Sequence, residues 1–321
     1  MSRRRLCLVL LLTALTTAPA GAQPVPRVDA ATLDYRLAAR ELAPGVYVVE
    51  GANADFDAAR NGCNIINTGF ITTGAGVVVI NTGPSRRYGE QLRALIARTT
   101  FEPVVQVLHL NLHPDYFLGN QAFADVPLRA TAATRAGMAR EGKAYEDNLY
   151  RLCGDWMKGT ERRLPAGDLA PGVLRVGERE FELRELAGHT ASDLVLVDRR
   201  SGVVFAGGLV FADRVPTTPH ADPKAWLASL DAVASLQPKQ LVPSHGPVAG
   251  GVAGIGQTRS YLQWLDRSFG QWADQGWEMA EVLQAPGSEP FRAWAAWPAE
   301  YVRTVAHLYG RYERAALGAK R

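Results

Sequence analysis

Through residue 250 the chain alternates short apolar runs with Gly, Asn and Pro breaks, and beyond that the pattern turns helical. Val46-Tyr47-Val48-Val49, then Asn64 to Thr72 and Gly76 to Ile80, read as β-strands, with Gly74-Ala75-Gly76 as a hairpin turn. Ser85 caps a helix through about Arg98 whose buried side carries Leu92, Leu95 and Ile96. Val104 to Leu110 is a buried strand, followed by a polar loop and a short turn to Phe123. Thr131 to Lys158 reads as helix, with a break expected near Gly142. A second strand-rich series follows: Phe181 to Leu186, Leu194 to Val197 and Val203 to Ala206. A helix over Ala225 to Leu236 and the strand Gln240 to Val242 close it. Two successive β-rich halves, each with its own helices, predict two packed sheets flanked by helices. From Ile255 onward the chain reads as a helical tail rich in Trp264, Trp272, Trp277, Trp294 and Trp297. Those tryptophans are expected to be packing groups, not a ligand platform.

Composition changes this picture mainly at the N-terminus. Arg3-Arg4-Arg5 precede the apolar run Leu6 to Leu15 and the small residues Ala18-Pro19-Ala20-Gly21-Ala22, the arrangement of a secretory signal peptide. The apolar run is about half of what a bilayer crossing needs, so no membrane span is expected. Cleavage is placed after Ala22, with Ala20 the alternative. Ser2-Arg3-Arg4 also permits a twin-arginine route beside the Sec route. The chain carries 35 Lys+Arg against 32 Asp+Glu, and residues 1–22 hold three Arg and no acid. The mature chain is therefore formally neutral, which gives no support to nucleic-acid binding. Export leaves Cys63 and Cys153 in an oxidising compartment, where they either pair or remain two separate thiols. The predicted organisation is a signal peptide over 1–22, a loose leader over 23–44, one α/β domain over 45–253 and a helical extension over 254–321.

Candidate chemistry sits in the histidines. His113-Pro114-Asp115 follows the strand ending at Leu110, Gly188-His189-Thr190 follows the strand ending near Leu186, and Ser244-His245-Gly246 follows the strand at 240–242. Each lies at a strand end, where side chains from separate elements converge on one sheet edge. No Walker loop, dinucleotide fingerprint or Gly-x-Ser-x-Gly elbow is present. His307, in the tail, reads as a surface residue, and Asp193 as a cap for backbone groups. Arg86 and Arg87 at a helix start read as a solvated face.

Asn111-Leu112-His113-Pro114-Asp115-Tyr116, Ala187-Gly188-His189-Thr190, Phe205-Ala206-Gly207-Gly208-Leu209 and Ser244-His245-Gly246 together resemble the metallo-β-lactamase superfamily. Asn64 to Phe70, Thr82 to Tyr88, Phe117 to Gln121 and Pro216-Thr217-Thr218-Pro219-His220 resemble, more narrowly, the periplasmic quinoprotein relay system zinc metallohydrolases. The resemblance covers roughly residues 45–250. It implies an αββα sandwich with a metal site at one edge, and residence beside a periplasmic quinoprotein dehydrogenase or cytochrome. In an intact site of this kind, three His hold one zinc, an Asp and two His hold another, and a second Asp bridges them. The metals then deliver hydroxide to a carbonyl at neutral pH.

The chain departs from that pattern at four positions. Asn111 stands where the first His belongs, Tyr116 replaces the His after Asp115, Gly208 occupies the bridging Asp position, and Asn81 replaces the Asp that orients the ligands. His113, Asp115, His189 and His245 remain, two from each half-site, below the three protein ligands a catalytic zinc usually takes. Three readings follow. The four residues gather around one zinc or iron, with Asp115 orienting its water for attack on an ester, thioester or lactam. Alternatively a substitute His is recruited: His109, two strand residues or about 6.6 Å from Asn111, or His220. Tyr116 would serve as a ligand only with a strongly lowered pKa. In the last reading no metal binds, and the pocket is a non-catalytic surface for a small molecule or a dehydrogenase partner, for which the Trp-rich tail would act as scaffold.

Overall fold

The computed structural model describes residue 29, residues 32–285 and residues 288–319. The signal segment 1–22 and the start of the leader lie outside the described residues. The first sheet holds seven strands in sequence order: β1 (Arg40–Ala43), β2 (Val46–Val49), β3 (Thr68–Thr72), β4 (Val77–Ile80), β5 (Val104–Leu108), β6 (Leu128–Ala130) and β7 (Gly167–Asp168). β1 to β4 pair antiparallel and β4 to β7 parallel. The second sheet has the order β13-β12-β11-β10-β9-β8, from β8 (Gly172–Val176), β9 (Arg179–Leu186), β10 (Asp193–Asp198), β11 (Val203–Phe205), β12 (Gln240–Val242) and β13 (Ala249–Gly250). Only β11 and β12 run parallel there. The helices are α1 (Arg86–Thr99), α2 (Pro114–Phe117), α3 (Ala132–Cys153), α4 (Pro223–Ala234), α5 (Ala253–Gln275), α6 (Met279–Val282), α7 (Ala299–Thr304) and α8 (Gly310–Ala319).

Strand alternation explains the layering, because successive side chains leave a strand on opposite faces. In β4, Val78 and Ile80 enter the core between the sheets, while Val77 and Val79 pack outward on Leu92 and Ile96 of α1. In β10, Leu194 and Leu196 face the first sheet, and Val195 faces outward towards Trp226 of α4 and Leu262 of α5. The result is helix, sheet, sheet, helix, the αββα sandwich that the resemblance implies. The tail covers the outer face of the second sheet: Tyr261, Leu265, Phe269, Tyr301 and Tyr309 belong to one core with β10, β11 and α4. Trp264, Trp277, Trp294 and Trp297 pack against that core, and Trp272 stacks on Trp277 at 5.6 Å, so all five are packing groups.

Three features differ from the pattern-based expectations. The end of the leader is ordered as strand β1, paired with β2, because Leu42 turns into the core between the sheets. Helix α3 runs unbroken through Gly142. A Cβ at Gly142 would lie 2.9 Å from Arg162 Cδ, so this glycine admits a neighbour and does not end the helix. The short strands β6, β7 and β13 carry too few alternating apolar residues to announce themselves, and β8 turns only Leu174 and Val176 to the core. Cys63 and Cys153 form a disulfide with Cα atoms 5.9 Å apart. Around it Leu112, Phe117, Leu118, Met138, Leu149 and Met157 make a small core beneath the 111–118 loop.

Candidate active site

Four strand ends converge at one edge of the sandwich. β5 leads into Asn111–Asp115, the β9–β10 connection holds His189, β11 leads into Gly207–Leu209, and β12 leads into Ser244-His245. Asn81, in the left-handed region at φ 59°, turns its amide oxygen to accept from Leu110 N at 3.0 Å and fixes the first of these loops. Asn tolerates that backbone conformation better than most residues.

The four retained residues form two pairs. His113 and His189 meet edge to face with ring centroids 4.6 Å apart. His245 Nε2 faces Asp115 Oδ2 at 3.5 Å. His245 Nδ1 donates to Ile65 O at 2.7 Å, which fixes its Nε2 as the lone-pair side when the ring is neutral. Burial holds His113 and His245 well below the usual histidine range, with the neighbouring imidazoles adding to the effect at His113 and the Arg214 charge at His245. Burial also pushes the Asp115 carboxyl up to about 6, against the pull of a backbone hydrogen bond and of the Arg214 charge.

Asn111 does not stand in as a ligand. Its Oδ1 accepts from His113 N at 3.0 Å, and its Nδ2 donates to Asp193 Oδ1 and lies 3.3 Å from Thr190 Oγ1. Asp193, fully buried, also accepts from Thr190 N at 2.8 Å and from His189 Nδ1 at 3.2 Å. It therefore does more than cap backbone. His189 in turn accepts through Nε2 from Thr217 Oγ1 at 3.2 Å, and its ring is held between Trp226 and Phe211.

Gly208 shows why the bridging carboxylate has no room. A Cβ there would lie 1.9 Å from His189 Nδ1 and 2.7 Å from Asp193 Oδ1. The His189–Asp193 hydrogen bond occupies the place from which that side chain would spring. Tyr116 is equally committed elsewhere: its hydroxyl meets Ser244 Oγ at 2.6 Å in the inter-sheet core. Burial raises its phenol well above the ordinary value, with the Asp115 charge adding to the effect. A ligating phenolate would need the opposite shift, so the ligand role for Tyr116 is withdrawn.

The substitute histidines divide. His109 is fully buried, shares a hydrogen bond with the Tyr116 carbonyl at 3.2 Å and leaves Nε2 without a partner. Burial lowers its pKa to about 4, and it acts as a brace for the loop. His220 does reach the site. Its Nδ1 meets His113 Nε2 at 3.1 Å, and its Nε2 pairs with Glu141 Oε2 of α3 at 2.7 Å. Glu141 also accepts from Tyr145 Oη at 2.6 Å. His307 is exposed, as expected, and also lines the rim of the pocket, 3.4 Å from Thr218 Oγ1. Arg86 pairs with Glu90 on α1 and does not line the cavity.

A cavity of about 420 Å³ opens at this edge, and its wall includes His113, Asp115, Thr217, His245 and His307. Tyr145, Leu149 and Leu152 of α3 form one side, with Glu300 and Arg303 of the tail opposite. Arg303 bonds both oxygens of Asp55 at 2.9 Å and Glu300 at 2.6 Å, and fully buried Arg214 lies 3.7 Å from Glu300. This balanced network ties the tail to the loop before β3. Sequence reasoning missed Glu141, Thr217, Arg214 and Glu300 as contributors. Thr217 lies in the family-like 216–220 segment without being singled out there, and only the fold brings all four to one edge.

The metallo-beta-lactamase superfamily model matches residues 61–245, more than half of the chain. The chain belongs to the metallo-beta-lactamase superfamily. Solved structures of the same fold include a metallo-beta-lactamase from Pontibacter korlensis, 22% identical, with a TM-score of 0.59 over 71% of this chain and 99% of that one. The metallo-beta-lactamase IND-7 is 18% identical, with a TM-score of 0.58 over 72% and 100%. FIM-1 from Pseudomonas aeruginosa in its mono-zinc form is also 18% identical, with a TM-score of 0.56 over 71% and 95%. No curated protein sequence matches the chain. Among metallo-beta-lactamase superfamily members, which usually bind zinc, this donor set does not fit a dizinc centre. Each half-site brings two protein donors where three are needed. Among the described residues no three His, Cys, Asp or Glu side chains are grouped to hold a metal ion.

Proposed function

We propose that this chain is an exported superfamily hydrolase that acts on a small ester, thioester or lactam without a dizinc centre. The observation that carries the reading is the His189–Asp193–Asn111 assembly, which fills the ground of the bridging carboxylate and of the first His ligand. The cavity volume suits a small ligand, since such sites span roughly 300–1,000 Å³. Its walls mix apolar Phe56, Ile65 and Leu149 with the imidazoles, as expected for an acyl compound with a polar carbonyl. The signal-like N-terminus and the Cys63–Cys153 disulfide support a periplasmic home. The quinoprotein-relay-like segments support work beside a quinone-cofactor dehydrogenase or cytochrome. Among the described residues no helix is long and apolar enough to cross a membrane.

A second reading has its own observation. His189 and His245 each commit Nδ1, to Asp193 and to Ile65 O, the arrangement that orients metal-binding imidazoles. One zinc or iron among His113, Asp115, His189 and His245 is the site that this second reading requires. Hydrolysis of p-nitrophenyl butyrate by protein dialysed against EDTA separates the two. The first reading expects turnover that added zinc leaves unchanged. Turnover that appears only with metal, and disappears in His113→Ala, would overturn it in favour of the second.

A further inference from the structure

Asp193, His189 and Thr217 stand in a line: carboxylate to Nδ1 at 3.2 Å, Nε2 to hydroxyl at 3.2 Å. That order of groups, at hydrogen-bond reach, is the arrangement that activates a hydroxyl nucleophile. Each member is placed for its part. Asp193 accepts three N–H donors, from Thr190, Asn111 and His189, so a carboxylate there is fully satisfied without solvent. Trp226 and Phe211 hold the His189 ring. Thr217 is partly exposed and lines the cavity, whereas the neighbouring Thr218 is fully buried. The loop that presents it is pinned on both sides: Val215 N bonds Ala295 O at 3.1 Å, and Thr218 Oγ1 bonds Thr304 Oγ1 at 3.1 Å. Pro216 and Pro219 bracket the pair and restrict the backbone further. Threonine's branched Cβ limits its rotamers, which keeps Oγ1 on His189.

We infer that Thr217 is an acyl-accepting nucleophile, with His189 as its base and Asp193 as the positioning carboxylate, in a metal-independent ester or thioester hydrolase. Resting on the first reading above, this assigns the group that forms the covalent bond. Thr217 Oγ1 attacks the acyl carbonyl carbon as its proton passes to His189 Nε2. The tetrahedral adduct collapses, the bond to the leaving alcohol or thiol breaks, and His189 returns the proton to that leaving group. Water then attacks the acyl-Thr217 ester and gives a proton to His189. Collapse of the second adduct releases the carboxylic acid, and the proton returns to Thr217. No oxidant or cofactor enters.

The two departures that disable a dizinc site make this line possible. Gly208 leaves room for the His189–Asp193 bond, and Asn111 supplies a donor to Asp193.

The test uses the full mature chain after EDTA dialysis, with p-nitrophenyl butyrate as probe, read by stopped-flow release of nitrophenolate and by peptide mass mapping. The expected result is a release burst approaching one per chain, with the butyryl group on Thr217. Thr217→Val, nearly isosteric, should lower the acylation rate about 100-fold or more, the scale of a lost nucleophile or base. Thr217→Ser should retain labelling, which a merely structural hydroxyl would not predict. Asp193→Asn should slow acylation at saturation without moving the half-saturating probe concentration. Turnover without metal that Thr217→Val leaves intact, with no acyl group on Thr217, overturns the nucleophile assignment and leaves the first reading standing. Turnover only with added zinc overturns both.

Discussion

The two halves of the site lost the same number of ligands and met the loss differently. On the His189 side, Asn111 turned inward and became a donor to Asp193, with its own amide oxygen accepting from His113 N. On the His245 side, Tyr116 left for the inter-sheet core, and Asp115 was kept in the wall with His245 at 3.5 Å as its nearest cationic or neutral imidazole partner. Asp193 accepts three N–H donors, while Asp115, short of donors and buried, has its carboxyl pushed up to about 6. The contrast between Asp193 and Asp115 separates a rebuilt network from an unfinished one.

Substituting each carboxylate in turn tests that contrast most strongly. Asp193→Asn should lower stability by about 3 kcal/mol in urea unfolding, because an amide NH2 would replace an oxygen that now accepts from buried N–H donors. Asp115→Asn should move the other way. The folded carboxyl sits at about 6, above its unfolded value, so the folded state binds protons more tightly and stability drains away as pH rises through 6. The Asn variant should therefore match the wild type near pH 4 and exceed it by up to about 3 kcal/mol at pH 8. Equal and opposite signs for the two variants at pH 8 confirm the comparison; the same sign for both breaks it.

A smaller effect is expected at Gly208. Gly208→Ala places a methyl group against His189 Nδ1, and overpacking of this kind costs about 2 kcal/mol. It should also abolish the nitrophenolate burst while leaving the inter-sheet core intact by near-ultraviolet dichroism. Tyr116→Phe should have the smallest effect, about 1 kcal/mol for the lost bond to Ser244, with no change in the burst. A burst lost in Tyr116→Phe would join the two halves into one functional unit.

Much of this was legible in the chain before folding. The continuous apolar runs Val77–Ile80 and Leu194–Val197 marked buried strands, and the order of His113, His189 and His245 marked one sheet edge. The departures at Asn111, Tyr116 and Gly208 were also visible as residue types. Their replacements were not. Asp193 reads as a cap, Thr217 is one residue of the family-like 216–220 segment, and Glu141 carries no signal, until the fold brings each within 3.2 Å of a histidine. Gly142 misled in the opposite direction. A helix-weakening residue in isolation, it is tolerated because Arg162 lies against the bare backbone. Pattern reports what a segment does alone, and these positions are decided by what meets them.

Zinc titration of EDTA-dialysed protein by isothermal calorimetry tests most directly whether His189 and its neighbours have left metal chemistry. The His189–Asp193–Asn111 network predicts heats no larger than dilution at micromolar zinc, and the same trace for His113→Ala. A sigmoidal isotherm with one or two zinc ions per chain, lost in His113→Ala, would contradict it.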